Sequence, residues 1–134
     1  KINNLSGNIV TLNIGIGKSR VMKIDERIEN LTGFRVMNTE EGKEIKILSL
    51  NELMHLLNID KCNLKIDCEG CEYEIFNDID ETIDIFHRIV IEYHYDFRSI
   101  EKELIKHNFK VWHTKPIFSH GKYAGFIFAE RIKN

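Results

Sequence analysis

Four side chains near the middle of the chain have the types and spacing for proton transfer. Asp67 and Glu69 stand two apart where the apolar run 62–67 ends, and Gly70 follows them, permitting a backbone turn that a side chain would hinder. Glu92 and His94 stand two apart near the carboxyl end of a second apolar run, 88–95. On one strand that spacing points both to the same face. Acidic and imidazole groups brought together at neighbouring strand ends can accept a proton, orient a hydroxyl or hold a divalent cation. Glu72 is a weaker candidate, since a carboxylate in the first turn of a helix is favoured there anyway. His55, His87, His107, His113 and His120 are scattered through helices and connections and read as surface residues.

Two other constellations fail on spacing. Gly15-Ile16-Gly17-Lys18-Ser19 looks like the end of a phosphate loop, but a P-loop needs Gly where Leu12 stands, and a dinucleotide fingerprint needs Gly at Arg20. A tight turn remains. Cys62, Cys68, Cys71 and His94 invite a zinc site, yet six residues of strand separate Cys62 from Cys68, roughly 20 Å at ~3.3 Å per residue. Thiolates sharing one zinc lie within about 4 Å of each other. Only Cys68 and Cys71 are near enough to share a metal or form a redox pair, and two further soft ligands are lacking, so small buried packing residues are expected and no metal.

The elements that must position these groups follow from apolar patterning. Residues 8–14 alternate as a strand and lead into the glycine turn. Val21, Ile24, Ile28 and Leu31 fall at helical spacing, yet residues 21–24 read equally as a short strand returning from the turn, the reading preferred. Residues 44–48 read as another short strand, and Ser49-Leu50-Asn51-Glu52 is a capping box opening a helix with Leu50, Leu53, Met54 and Leu57 on one face. Residues 62–67 read as a strand buried on both faces, and a helix carries Tyr73 and Phe76. Strand 88–95, a helix through Ile100, Leu104 and Ile105, strand 109–113 and a last strand 123–130 complete an alternation of strand and helix. Alternation of this kind predicts an α/β sheet, mostly parallel, closed by an antiparallel strand. In such a sheet ligands bind outside the carboxyl ends of the strands.

The whole is one domain, 1–134, with 43% apolar and 30% charged residues. Twenty-one isoleucines against two alanines favour buried strands over a helical bundle. A net charge of −2, with acids and bases interleaved, gives no platform for nucleic acid and no attraction to an anionic membrane. The first residues lack a basic start followed by an apolar core, so no signal peptide is expected, and no apolar run approaches ~20 residues. Reduced thiols in a cytoplasmic protein are therefore expected.

The run Leu64-Lys65-Ile66-Asp67-Cys68-Glu69-Gly70-Cys71-Glu72-Tyr73 resembles the L-K-x-D-x-E-G-x-E-x signature of the FkbM-type methyltransferases. Ile91-Glu92-Tyr93-His94 is similar to that family's I-E-x-H strand, and Asn108-Phe109-Lys110-Val111 to its G-F-x-V strand, with Asn108 in place of Gly. The resemblance implies a partial Rossmann-like class I sheet and S-adenosylmethionine-dependent methylation of a hydroxyl, often on a sugar or glycan. It gives Asp67 the task of orienting the acceptor or taking its proton, with Glu69 in support and His94 with Glu92 as the alternative or supporting base. Asn13, at the carboxyl end of the first strand, would border the adenine by its position alone. It also puts the family's D-x-G-A-x-x-G cofactor loop before Lys1. A homodimer, or a preceding amino-terminal segment, is then expected along the unpaired edge of strand 62–67. The alternative is a non-catalytic remnant that serves as a binding or docking module.

Overall fold

The computed structural model of the chain describes residues 9–24, 39–77, 79, 81–119 and 121–132. In a small sheet, β3 (Lys43–Leu48) has β1 (Gly15–Ile16) parallel on one side and β2 (Arg20–Ile24) antiparallel on the other. The strand expected at 8–14 does not form over its described part, 9–14, and pairing is confined to Gly15 and Ile16. Period-two alternation makes a strand only where its apolar side finds a surface to cover, and Ile9, Val10 and Leu12 stay exposed.

Ser49 caps α1 (Leu50–Leu57) as its sequence requires. Its hydroxyl accepts the Glu52 N–H at 3.2 Å and the Glu52 carboxylate accepts the Ser49 N–H at 2.9 Å. The Ser19 hydroxyl donates to the same carboxylate, and that bond, followed by the one from Ser49, holds the Glu52 carboxyl below its ordinary range.

The larger sheet has the order β4 (Cys62–Ile66), β5 (Phe86–Tyr93), β8 (Lys122–Arg131), β6 (Phe109–His113), with β7 (Ile117–Ser119) paired to β8. The chain passes from β4 to β5 through α2 (Glu72–Asn77) and a 3₁₀ turn, Glu81–Ile85, and from β5 to β6 through α3 (Arg98–Lys106). These crossovers leave β4 and β5 parallel. The last strand, β8, is antiparallel as expected, but it inserts between β5 and β6 and runs against both, so the pairings are mixed rather than mostly parallel. The connection from β6 to β8 is too short for the crossover that a parallel return demands. The architecture is mixed α/β.

On one face of this sheet Ile89, Ile91, Tyr93, Ile127 and Ala129 pack with Ile75 and Phe76 of α2 and Ile100 and Leu104 of α3. Each such side chain contributes roughly 1.5–3 kcal/mol by leaving water. Gly125 lies opposite Tyr93, and a Cβ there would stand 2.5 Å from the Tyr93 hydroxyl, so only glycine lets the fully buried ring lie across β8. The other face is half open, with Trp112 stacked on Phe128 at 6.1 Å. β4 is not buried on both faces as expected. Asn63 and Lys65 are exposed, since β4 is an edge strand with, among the described residues, no strand beyond it. No helix of the described residues is long and apolar enough to cross a membrane.

Candidate active site

β4 and β5 pair through Ile66 and Ile91 and leave the sheet at the same end, which brings the turn after β4 against the bend after β5. One ligand-type atom from each of Asp67, Glu69 and His94 lies within 4.8 Å of the others. Three of the four side chains named from the sequence thus meet. Glu92 does not join them. The strand ends at Tyr93, and the alternation that buries Ile89, Ile91 and Tyr93 keeps Glu92 on the opposite face, across from Phe126. His94 escapes that alternation because it sits in the bend, where the chain turns it inward to 2% exposure. Asn13 is exposed, belongs to no strand and is not part of this cluster.

His94 is held through one ring nitrogen, and the other lies near a second carboxylate. Nδ1 lies 3.0 Å from Glu72 Oε1, and Nε2 lies 3.4 Å from Glu69 Oε2. Glu72 has no exposed surface, and its other oxygen accepts the Gly70 N–H at 2.8 Å. An ionised carboxylate can only accept, so Nδ1 carries the proton in that contact and Nε2 is left towards Glu69. Tyr73, next on α2, accepts the Tyr95 N–H at 3.0 Å and so braces the bend that carries His94. Burial pushes the Tyr73 hydroxyl above its usual range, which keeps it neutral in this role.

Glu69 takes a left-handed conformation, φ 55°, followed by Gly70 at φ 113°. This tight turn aims the Glu69 carboxylate back over His94, where Lys122 of β8 forms an ion pair with it. The Lys122 hydrogen bond, with a smaller attraction from His94, holds the Glu69 carboxyl below its ordinary range, and Glu69 in return raises the Lys122 ammonium. Asp67 is exposed and lies 3.6 Å from the Lys65 ammonium. Asp67, Glu69 and His94 have the donor types for a divalent cation, but the Lys122 ammonium already supplies positive charge to Glu69.

Lys122→Met is expected to return the Glu69 carboxyl towards its ordinary range. A carboxyl depressed by folding adds stability above its unfolded pKa and loses it as pH falls through the lower folded value. The stability advantage of the wild type over the variant therefore fades as pH falls through the carboxylate range, which carboxyl-carbon NMR titration and acid melts would measure together.

The cysteines correct a further expectation. Cys68 and Cys71 are joined as a disulfide rather than held as thiols, and Cys62 is free. Both still pack against the core. The turn expected at Gly15–Ser19 is confined to Gly17–Ser19, since Gly15 and Ile16 pair as β1. The Lys18 N–H donates to Glu74 at 2.8 Å, so an internal carboxylate holds the amide that a phosphate would need. His55, His87 and His113 are exposed, His107 is half-buried, and His120 lies outside the described residues.

The Methyltransferase FkbM domain matches residues 2–111. The chain belongs to this family. No curated protein and no solved structure matches it. The matched span of this FkbM domain includes Asp67, Glu69, Glu72 and His94, whereas Lys122 comes from beyond it. Sequence reasoning undervalued Glu72 and did not find Lys122. The first had a signal, for Glu72 shares the i, i+3, i+4 face of α2 with Ile75 and Phe76, the face that turns inward. The second had none, because it arrives from 53 residues away.

Proposed function

We propose that these residues form the acceptor side of an S-adenosylmethionine-dependent O-methyltransferase on a Rossmann-like sheet, acting on a hydroxyl of a sugar or glycan in the cytoplasm. The observation that carries this reading is His94, a buried imidazole fixed through Nδ1 by a fully buried carboxylate, beside Asp67 and Glu69 at the ends of two parallel strands.

S-adenosylmethionine, when bound, supplies a sulfonium methyl group. The described residues do not compose its cradle. No D-x-G-A-x-x-G stretch occurs in the 134 residues, and the cavity of about 350 Å³ at the Gly17–Ser19 turn is lined by Glu74, whose carboxylate already binds Lys18 and Arg20. The residues present act on the acceptor. Asp67 accepts a hydrogen bond from the hydroxyl and sets its direction. Nε2 of His94 takes the hydroxyl proton, and Glu72 stabilises the imidazolium that results. Glu69, kept ionised by Lys122, then accepts the new Nε2–H.

Asp67→Asn keeps the shape and removes the charge. At this exposed position melting should change by less than about 0.5 kcal/mol, while transfer of labelled methyl falls by about a hundredfold. Wild-type turnover in the variant would remove Asp67 from the mechanism. The Glu74 carboxylate, already held by Lys18 and Arg20 at that cavity, favours a second reading, a non-catalytic docking module. Absence of both transfer and heat on titration with S-adenosylmethionine would support that module over the enzyme.

A further inference from the structure

The turn that carries the site is itself closed by a covalent bond that the reaction does not use. Cys68 and Cys71 bracket Glu69 and Gly70, so the disulfide ring contains the residue whose carboxylate faces His94. A cross-link over so short a segment removes less freedom from the unfolded chain than one closing a long loop would. Its consequences are local. Cys68 Sγ lies 3.4 Å from Glu72 Oε2, the other Glu72 oxygen lies 3.0 Å from His94 Nδ1, and His94 Nε2 returns to Glu69 at 3.4 Å. Disulfide, buried carboxylate, imidazole and second carboxylate thus form a closed circuit of contacts. Both cysteines are half-buried rather than sealed in the core.

We infer that Cys68–Cys71 is a redox-reactive site, opened by a dithiol, whose state sets how the Glu69 and Glu72 carboxylates hold His94. The reaction breaks one S–S bond in the protein and forms one in the reductant. Two electrons and two protons pass from the dithiol, leaving two protein thiols and an oxidised, disulfide-bonded reductant. Reduction changes two things at once. The left-handed pair Glu69–Gly70 loses the bond that spans it, releasing the Glu69 carboxylate from Nε2. The Cys68 sulfur gains a proton to donate to Glu72 Oε2, in competition with the Gly70 N–H that now holds that oxygen. The oxidised form is the organised one. A reducing cytoplasm would hold the site loosened until the bond forms.

The test uses the whole chain, oxidised and then treated with dithiothreitol. Thiol titration is expected to rise from one, Cys62, to three. Exchange of the Gly70 amide should quicken at least tenfold, the His94 ring resonances should shift, and reoxidation should reverse all three. Cys68→Ser/Cys71→Ser should behave as the reduced form and ignore dithiothreitol. Two results would overturn the inference: three thiols with Gly70 exchange and His94 unchanged, or no reduction short of unfolding. The effect on turnover, a loss of about tenfold on reduction, rests on the methyltransferase reading. Gly70 and His94 responding in a protein that transfers no methyl group in either state would sink that reading and leave this one standing. Full turnover in a reduced protein whose Gly70 exchange has quickened would sever the coupling to the reaction.

Discussion

Glu72→Ala is expected to destabilise the domain by about 3 kcal/mol, near 10 °C in melting temperature. The carboxylate has no solvent contact and accepts from two donors, the Gly70 N–H at 2.8 Å and His94 Nδ1 at 3.0 Å. Truncation leaves both buried without a partner, at roughly 1–3 kcal/mol each, and adds a small cavity. Glu72→Gln separates stability from chemistry. Its amide oxygen still accepts from one donor, so most of the stability returns. The negative charge that stabilises a protonated His94 does not, and turnover should stay down by about a hundredfold to ten-thousandfold. Thermal melts and single-turnover methyl transfer on the two variants would measure both parts. An Ala variant that melts like the wild type would mean that Glu72 is not the clamp.

His94→Gln should lower turnover by about a thousandfold, within the usual contribution of a positioned general base. Gln is close in length, and its amide can donate to Glu72 in place of Nδ1, so the fold survives. The loss should fall on kcat with little change in KM for the acceptor, because the proton leaves in the transition state. A variant that keeps the wild-type rate would assign the base to another group.

Much of the positioning frame is legible from neighbouring residues. The Ser49–Glu52 capping box, the apolar cores of β4 and β5 and the glycine after Glu69 each state their local structure, and parallel strands ending together bring Asp67, Glu69 and His94 to one place. What fails is whatever depends on where an element stops or what lies beside it. Glu92 and His94 share a face only if β5 continues through residue 94, and it ends at Tyr93. The alternating segment before Gly15 carries a strand's pattern without a strand's partner. Spacing brings Cys68 near Cys71 but cannot tell two thiols from a disulfide, since the choice is made by electrons rather than by geometry. Lys122 reaches Glu69 only because β8 threads between β5 and β6, a long-range arrangement that no local window contains.

Long-range proton–nitrogen NMR correlation of the His94 ring tests most directly whether one buried carboxylate fixes the imidazole within the shared centre. The proton should reside on Nδ1 in the neutral ring, Nδ1 should respond strongly to Glu72→Gln, and Nε2 should respond to Asp67→Asn. A bare Nδ1 with the proton on Nε2, or a ring indifferent to both substitutions, would contradict the shared centre and the base it provides.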